Sequence, residues 1–164
     1  MPQGRRVRET GMRALENKIP PPLVGLGFAA LMWLVSRSEL PLVFDIPGRP
    51  AIAALFWSLG VACSLAGVFA FHRAKTTINP LSPEAATTMV TSGIYQISRN
   101  PMYLGIFFTL IGWAVWLSHL SVFALLPFFI LYINRFQIEP EERALASKFG
   151  GQFTAYATAV RRWL

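Results

Sequence analysis

The sequence predicts an all-α, polytopic membrane protein with about four transmembrane helices and a cytoplasmic, amphipathic helical tail. Three observations lead to this prediction. The chain of 164 residues is 54% hydrophobic and only 14% charged, whereas a soluble domain carries about 25% charged residues. The apolar residues are gathered into four uncharged blocks with the charged residues between them. The last part of the chain has apolar residues at helical spacing instead.

The four predicted spans are residues 20–35, 51–71, 102–118 and 120–134. A helix perpendicular to the bilayer needs roughly 20 residues, so the first and fourth spans must borrow flanking residues. Only His119 separates the third span from the fourth, which predicts a tight antiparallel hairpin. Pro127 is expected to kink or loosen the fourth span. Close helix packing is expected at the small residues of the second span, which are Gly60, Cys63, Ser64 and Gly67.

The chain is predicted to form one membrane domain, residues 1–164. Its parts are a basic arm (1–19), two spans (20–71), a cytoplasmic loop (72–100), a helical hairpin (101–135) and a tail (136–164). Every lysine and arginine except Arg37 and Arg49 lies in the arm, in the loop or from residue 135 onward. Because basic segments stay on the cytoplasmic side, both termini are predicted to be cytoplasmic. The first span is expected to be retained, since no small-residue cleavage pattern follows it.

The net charge of +7 could serve either nucleic-acid binding or membrane topology. The blocks between the charges are too apolar for a soluble nucleic-acid-binding core, so we favour topology. The single cysteine, Cys63, excludes an internal disulfide. His72 and His119 have no second ligand at helical spacing. Neither a metal site nor a nucleic-acid partner is therefore predicted.

Three polar groups flank the predicted spans on the cytoplasmic side: residues 75–80, residues 92–105, and Arg135 with its glutamates. Arg135 and Glu139 are four residues apart, which places them on one face of a continuing helix. The guanidinium could grip a carboxylate or phosphate, or it could reach the interface and pair with a nearby glutamate. The spacing leaves both interpretations open. Nucleotide-binding glycine motifs, a Ser-His-Asp arrangement and charges inside the spans, which would favour transport, are all missing.

The tail has an amphipathic helical pattern. Its apolar stripe consists of Leu145, Phe149, Phe153, Tyr156 and Val160. The adjacent glycines at 150 and 151 predict that one helix ends there and another begins. Such a tail can lie on the membrane surface or pack on the spans.

Two stretches of the chain resemble the isoprenylcysteine carboxyl methyltransferase family and its phospholipid methyltransferase relatives. The first, residues 93–105, has the order and spacing of the signature G-x-Y-x-x-x-R-[HN]-P-x-Y-x-G. The second is similar to the family's E-E-x-x-L, F-G, Y and V pattern, carried here by Glu141, Glu142, Leu145, Phe149, Gly150, Tyr156 and Val160. Order and spacing match from about residue 71 to residue 164.

The resemblance implies an integral membrane enzyme that binds S-adenosylmethionine at the cytoplasmic ends of the last spans, where the tail completes the cofactor site. A lipid-like acceptor would arrive sideways from the bilayer. By motif position, the residues implied to bind or shape the cofactor site are Tyr95, Arg99, Asn100, Pro101, Tyr103, Glu139 and Glu142. Asn100 stands where many members have histidine, and its amide can also donate and accept hydrogen bonds.

The expected reaction is methyl transfer, in which the protein supplies orientation and excludes water. A carboxylate acceptor, which we favour, is ionised at neutral pH, and Arg135 matches the arginine that lies near the acceptor carboxylate in the carboxyl methyltransferases. An amine acceptor must lose a proton, for which Glu139 is the nearest candidate. Arg135 and Glu139 are therefore the predicted catalytic residues. A phospholipid N-methyltransferase and a catalytically silent membrane scaffold of the same fold remain as alternatives.

Overall fold

The structure, a computed structural model, describes residues 16–39, 42–74 and 88–164. The predicted basic arm before Glu16 and the polar loop at residues 75–80 lie outside these described ranges. Within them the chain is helical, with no strand beyond one isolated bridge between Val43 and His119, which confirms the predicted all-α class for this part. The helices are α1 (Pro21–Ser36), α2 (Arg49–Arg73), α3 (Pro101–Leu117), α4 (Leu120–Phe123), α5 (Leu125–Ile133), α6 (Glu139–Phe149) and α7 (Gly151–Ala159).

Two of the helical segments are long and apolar enough to cross a membrane. They are α2, with 25 residues, and the 30-residue segment Leu120–Phe149 formed by α4, α5 and α6. The other two apolar helices, α1 and α3, have 16 and 17 residues. The membrane character of the chain is thus supported by two spans. The number of four spans and the cytoplasmic position of both termini stay predictions.

Two prolines shape the segment Leu120–Phe149. Pro127 has no N–H to offer to the carbonyl of Phe123, and the helix is interrupted at Ala124. Pro140 likewise has no N–H to offer to the carbonyl of Phe136. That oxygen accepts the backbone N–H of Asn17, at 3.0 Å. The freed carbonyl therefore fastens the chain before α1 to the start of α6.

A π turn over Asn134–Ile138 connects α5 to α6. A π turn accommodates an extra residue in the helix and rotates the residues that follow it relative to an uninterrupted α-helix. Its fully buried Gln137 donates from Nε2 to the backbone carbonyl of Ile19 at 2.8 Å. The side chains of α6 therefore point in directions that a simple α-helical extrapolation from α5 does not give.

Glycine contacts bring α2 and α3 together. A Cβ atom on Gly60 would lie 2.7 Å from the carbonyl oxygen of Gly105, and a Cβ on Gly105 would lie 2.6 Å from that of Gly60. Real side chains do not fit at such distances, so the two backbones touch directly. The close packing predicted for the small residues of the second span is found here and again where Gly67 meets Met102.

The helix α3 is the centre of the bundle, because α1 and α2 both pack on it and hardly on each other. On the α1 side, the indole of Trp113 donates to the carbonyl oxygen of Ala29 at 3.0 Å. Phe28 of α1 meets Phe129 of α5 edge to face, with ring centroids 5.4 Å apart. The arrangement leaves a groove between α1 and α2 with α3 as its floor.

Both tight connections predicted from the sequence are present. Ser118, with φ of 51°, and His119 alone join α3 to α4. The tail helix ends at Phe149 and the next begins at Gly151, with φ of 50° at Gly150. The turn at Gly150 folds α7 back toward the start of α3.

Candidate functional site

A cavity of about 390 Å³ lies where α6, α7 and the beginning of α3 meet the beginning of α1 and the end of α2. Both sequence stretches that carry the resemblance contribute to it. Its polar side chains include Tyr95, Arg99, Asn100, Tyr103, Glu141, Glu142 and Tyr156. Apolar residues of the first three helices complete it, among them Pro21, Pro22, Val68, Phe71, Met102 and Ile106. The cavity thus has a polar, partly charged wall and continues into the apolar groove between α1 and α2.

The chain before α3 presents two of these side chains at the helix start. A 3-10 turn, Gly93–Gln96, precedes it, and Gly93 has φ of 64°, a conformation that glycine adopts without strain. The buried hydroxyl of Ser98 accepts the backbone N–H of Asn100 at 3.1 Å. Pro101 then occupies the first helical position, where its missing N–H costs nothing.

Tyr103 and Glu141 form a direct contact within the cavity wall. The tyrosine hydroxyl donates a hydrogen bond to Oε1 of Glu141. Among the described residues, no lysine or arginine forms a salt bridge with this carboxyl group. Glu141 therefore presents its carboxyl group to the cavity, and the neutral hydroxyl of Tyr103 is its hydrogen-bond donor.

Glu142 has a different environment, because two arginines hold its carboxylate. Arg99 donates from a terminal nitrogen to Oε1 at 2.8 Å, and Arg162 donates to Oε2 at 2.6 Å and from Nε to Oε1 at 3.3 Å. The side chains of Arg99 and Glu142 are only 14% and 19% exposed. Shielded, charge-assisted contacts of this kind are the strong ones, so Glu142 binds the start of α3 to the end of the tail.

One donor at this site is left over. Nε of Arg99 is buried and has no hydrogen-bond partner among the described residues. The two terminal nitrogens of the same guanidinium are used, one by Glu142 and the other by the carbonyl oxygen of Ala157 at 2.6 Å. A buried N–H without a partner is costly, and the residue that carries it also lines the cavity.

Two tyrosines remain uncharged at neutral pH. The hydroxyl of Tyr156 donates to the backbone carbonyl of Tyr95 at 2.7 Å. Burial raises the pKa of Tyr156 to about 12, although the nearby charge of Arg99 lowers it in part. Burial, reinforced by Tyr156 and Glu141, also raises the pKa of Tyr95 well above its ordinary value. Tyr95 can therefore serve as a neutral hydrogen-bond donor, whereas the hydroxyl hydrogen of Tyr156 is already used by the carbonyl of Tyr95.

The structure does not bring Arg135 and Glu139 to the cavity wall. Arg135 pairs with Glu16 at 2.7 Å, and Glu139 is 4.0 Å from the same guanidinium nitrogen. Glu16 also accepts a hydrogen bond from Arg143. Partial burial opposes ionisation of Glu16, but the two arginines outweigh it and hold the pKa of Glu16 below its ordinary value of 4.5. Arg135 is thus already engaged by an internal carboxylate.

Of the residues predicted to form the cofactor site, Tyr95, Arg99, Asn100, Tyr103 and Glu142 line the cavity. Pro101 is buried at the first position of α3 without lining it. Their roles toward a ligand stay predictions, as does the absence of a metal site.

Sequence reasoning missed Glu141. The π turn changes the face on which Glu139 and Glu141 lie, so that Glu141 lines the cavity and Glu139 does not. The adjacent acidic pair in the tail motif was the signal that could have identified Glu141.

These features define a helical membrane protein with a cavity built from two distant sequence stretches. The model of the phospholipid methyltransferase family matches residues 49–152, more than half of the chain, so the chain belongs to this family of methyltransferases. This finding confirms the resemblance seen in the sequence. A protein of Haemophilus influenzae, described only as an uncharacterized protein, is 44% identical over 63 residues, which are 38% of this chain and all of that protein. No solved structure matches the chain.

Proposed function

We propose that the chain transfers a methyl group from S-adenosylmethionine to a lipid-like acceptor, and that the cavity is where the two meet. The observation that carries this proposal is the convergence of Tyr103 and Arg99, from one stretch, with Glu141 and Glu142, from the other, on a single cavity. The same cavity continues into apolar walls of α1, α2 and α3. A polar cofactor and an apolar chain could therefore be held together.

The residues at the cavity fit the charges of S-adenosylmethionine. Its sulfonium and amino groups are cationic, and Glu141 presents a carboxyl group with no basic partner among the described residues. The carboxylate of S-adenosylmethionine is a hydrogen-bond acceptor, and the unpaired Nε of Arg99 is a buried donor. Tyr95 and Tyr156 offer aromatic surfaces and neutral hydroxyl groups. When bound, the cofactor supplies a methyl group that is already activated on sulfur.

The charge of the cavity favours an amine acceptor over a carboxylate. The charged residues among its described lining are Arg99, Glu141 and Glu142, and the arginine is already paired with Glu142. An acceptor carboxylate would meet the carboxyl group of Glu141, with no free cation among the described lining residues to hold it. An ammonium group would be attracted, and it must lose a proton before its nitrogen can attack. We propose that Glu141, oriented by Tyr103, accepts this proton.

The cofactor assignment can be tested by calorimetry on detergent-purified protein. We expect saturable binding of S-adenosylmethionine, weakened by about tenfold or more in Glu141→Gln, since a buried charge-assisted contact is lost. S-adenosylhomocysteine, which lacks the sulfonium charge, should lose less affinity in the same variant. Glu139→Gln is the matched control, because this glutamate lies outside the cavity, and it should bind as the wild type does.

Equal losses in both variants would contradict the proposed role of Glu141. If folded wild-type protein in lipid nanodiscs did not bind S-adenosylmethionine, the methyltransferase proposal itself would be wrong for this chain.

The acceptor class can be tested by transfer of a labelled methyl group in nanodiscs. Phosphatidylethanolamine supplies the amine acceptor, phosphatidylglycerol is a lipid control without an amine, and a farnesylcysteine derivative supplies a carboxylate. We expect labelling of phosphatidylethanolamine and a loss of at least about tenfold in kcat in Glu141→Gln. Labelling of the farnesylcysteine alone, abolished in Arg135→Ala, would instead favour the carboxylate acceptor predicted from the sequence.

A further inference from the structure

The segment that follows α7 runs back across the start of α3. The helix ends at Ala159, and Val160 adopts an extended conformation, with φ of −120° and ψ of 133°. The backbone N–H of Arg99 then donates to the carbonyl oxygen of Arg161 at 3.0 Å, and Nδ2 of Asn100 donates to that of Arg162 at 2.9 Å. The two residues that hold this segment both line the cavity.

Trp163 anchors the far end of the segment. Its indole N–H donates to Oδ1 of Asn134, the first residue of the π turn, at 3.0 Å. Its ring packs beside Phe107 of α3, with centroids 6.1 Å apart, and belongs to the periphery of the hydrophobic core. One side chain thus joins the segment to α3 and to the π turn at once.

The anchor is coupled to the cavity through the preceding residue. Arg162 holds both carboxylate oxygens of Glu142, and Glu142 in turn holds a terminal nitrogen of Arg99. A shift of the backbone at Trp163 would therefore move Arg162 and release one side of Glu142. The guanidinium of Arg99 would keep the carbonyl oxygen of Ala157, but its carboxylate partner would be held less firmly.

We propose that Trp163 is a positioning residue for the cofactor site. It fixes residues 160–163 on α3 and the π turn, and thereby holds Arg162, Glu142 and Arg99 in the arrangement that receives S-adenosylmethionine. Trp163 does not line the cavity, so it acts through these residues. It also lies beyond residues 49–152, which the family model matches. The inference rests on the proposed function, because it assumes that this cavity binds the cofactor.

The experiment measures the Kd and KM for S-adenosylmethionine, the kcat at saturating cofactor and the Tm of three variants. Trp163→Ala should raise Kd and KM by about tenfold, with kcat changed by no more than about twofold. Trp163→Phe keeps a ring beside Phe107 but loses the indole N–H, so it should restore part of the affinity. Arg161→Ala is the matched control, since its side chain is exposed and its carbonyl oxygen remains.

Trp163→Ala or Trp163→Phe with a lower Tm and unchanged Kd would show that Trp163 has a structural role only, and would overturn the inference. A fall in kcat at unchanged KM would also overturn it. If Trp163→Ala does not fold, Trp163→Phe decides, with an expected rise in Kd of about threefold. Wild-type protein that binds no S-adenosylmethionine would overturn the proposed function as well, whereas equal binding by wild type and variants overturns this inference alone.

Discussion

At the scale of single residues, Glu16 ties the chain before α1 to two arginines that follow the apolar part of the long helix. Its carboxylate accepts from Arg135 at 2.7 Å and also from Arg143, and its side chain is 12% exposed. The arginine side chains are more open, at 33% and 53%. Solvent screening reduces the value of such pairs, so the contribution of Glu16 to stability is modest and depends on pH.

We predict that Glu16→Gln lowers the Tm by about 2 °C at pH 7. Because the folded-state pKa of Glu16 lies below its ordinary value of 4.5, its contribution is complete above that value. The contribution is lost as the pH falls through the lower folded-state pKa. The Tm difference between wild type and variant should therefore shrink below pH 4.5, as measured by thermal unfolding in detergent.

Glu39→Gln is the control for this measurement, because Glu39 is an exposed glutamate beyond the other end of α1. A Tm difference for Glu16→Gln that is constant from pH 7 to pH 3 would contradict the role of the ionised carboxylate.

The identity of individual site residues could be predicted only in part. The motif resemblance selected Tyr95, Arg99, Asn100 and Tyr103, and all of them line the cavity. By motif position it also selected Glu139, which does not line the cavity. The π turn at Asn134–Ile138 changes the directions in which Glu139 and Glu141 point. In the local sequence only Pro140 indicates a change in helix geometry, and its effect depends on which hydrogen-bond partners are available.

At the scale of elements, the contact between α2 and α3 depends on two glycines. Gly105→Ala should destabilise the protein by about 1–3 kcal/mol, because the added methyl group meets the backbone of Gly60 and the side chain of Ser64 and forces the helices apart. The measurement is thermal or denaturant unfolding in a fixed detergent. The cavity should lose volume or shape at its α2 wall, so cofactor affinity is expected to fall together with stability.

Gly151→Ala is the matched control for this substitution. A Cβ there meets nothing within 4 Å, and Gly151 begins α7. Alanine favours a helix over glycine, so this variant should be neutral or slightly more stable. If both alanine variants behaved alike, direct backbone contact between α2 and α3 would not be important to the fold.

The helices themselves were largely predictable from the sequence. Uncharged blocks gave the positions of α1, α2 and α3 to within two residues at each end, because flanking charges and prolines limit them. The fourth block was not limited in this way. Its helix continues past the apolar residues through the π turn to Phe149, since Pro140 is accommodated at the start of α6 and the following glutamates and alanines favour a helix.

At the scale of the whole molecule, the meeting of the two motif stretches followed from the resemblance, but their side-chain pairs did not. Tyr103 meets Glu141 and Arg99 meets Glu142 across 38 and 43 residues of sequence. Pairings at that separation depend on how α3 lies against α6, and helical periodicity does not predict the relative placement of two helices. The contacts of Trp163 could not be predicted for the same reason.

Described arginines lie at both ends of the helices, in different surroundings. Arg99 and Arg162 lie at the cavity, near the beginning of α1 and the end of α2. At the opposite ends of these helices, Arg37 stacks on Trp33, and Arg49 donates to the hydroxyl of Ser118 at 3.2 Å. A cavity that faces the cytoplasm, as the distribution of basic residues in the sequence implies, stays a prediction.

The unequal lengths of the helices have a consequence for the surrounding bilayer. At 1.5 Å per residue, α1 and α3 rise about 24 and 26 Å and α2 about 37 Å, against a hydrocarbon thickness of about 30 Å. Such a mismatch thins the lipid beside short helices and tilts a long one. If α1 spans the bilayer as the sequence predicts, the thinnest lipid should lie next to it, at the groove beside the cavity. Lipid chains there would be disordered and quick to exchange, which would let the proposed lipid-like acceptor come and go without a dedicated gate.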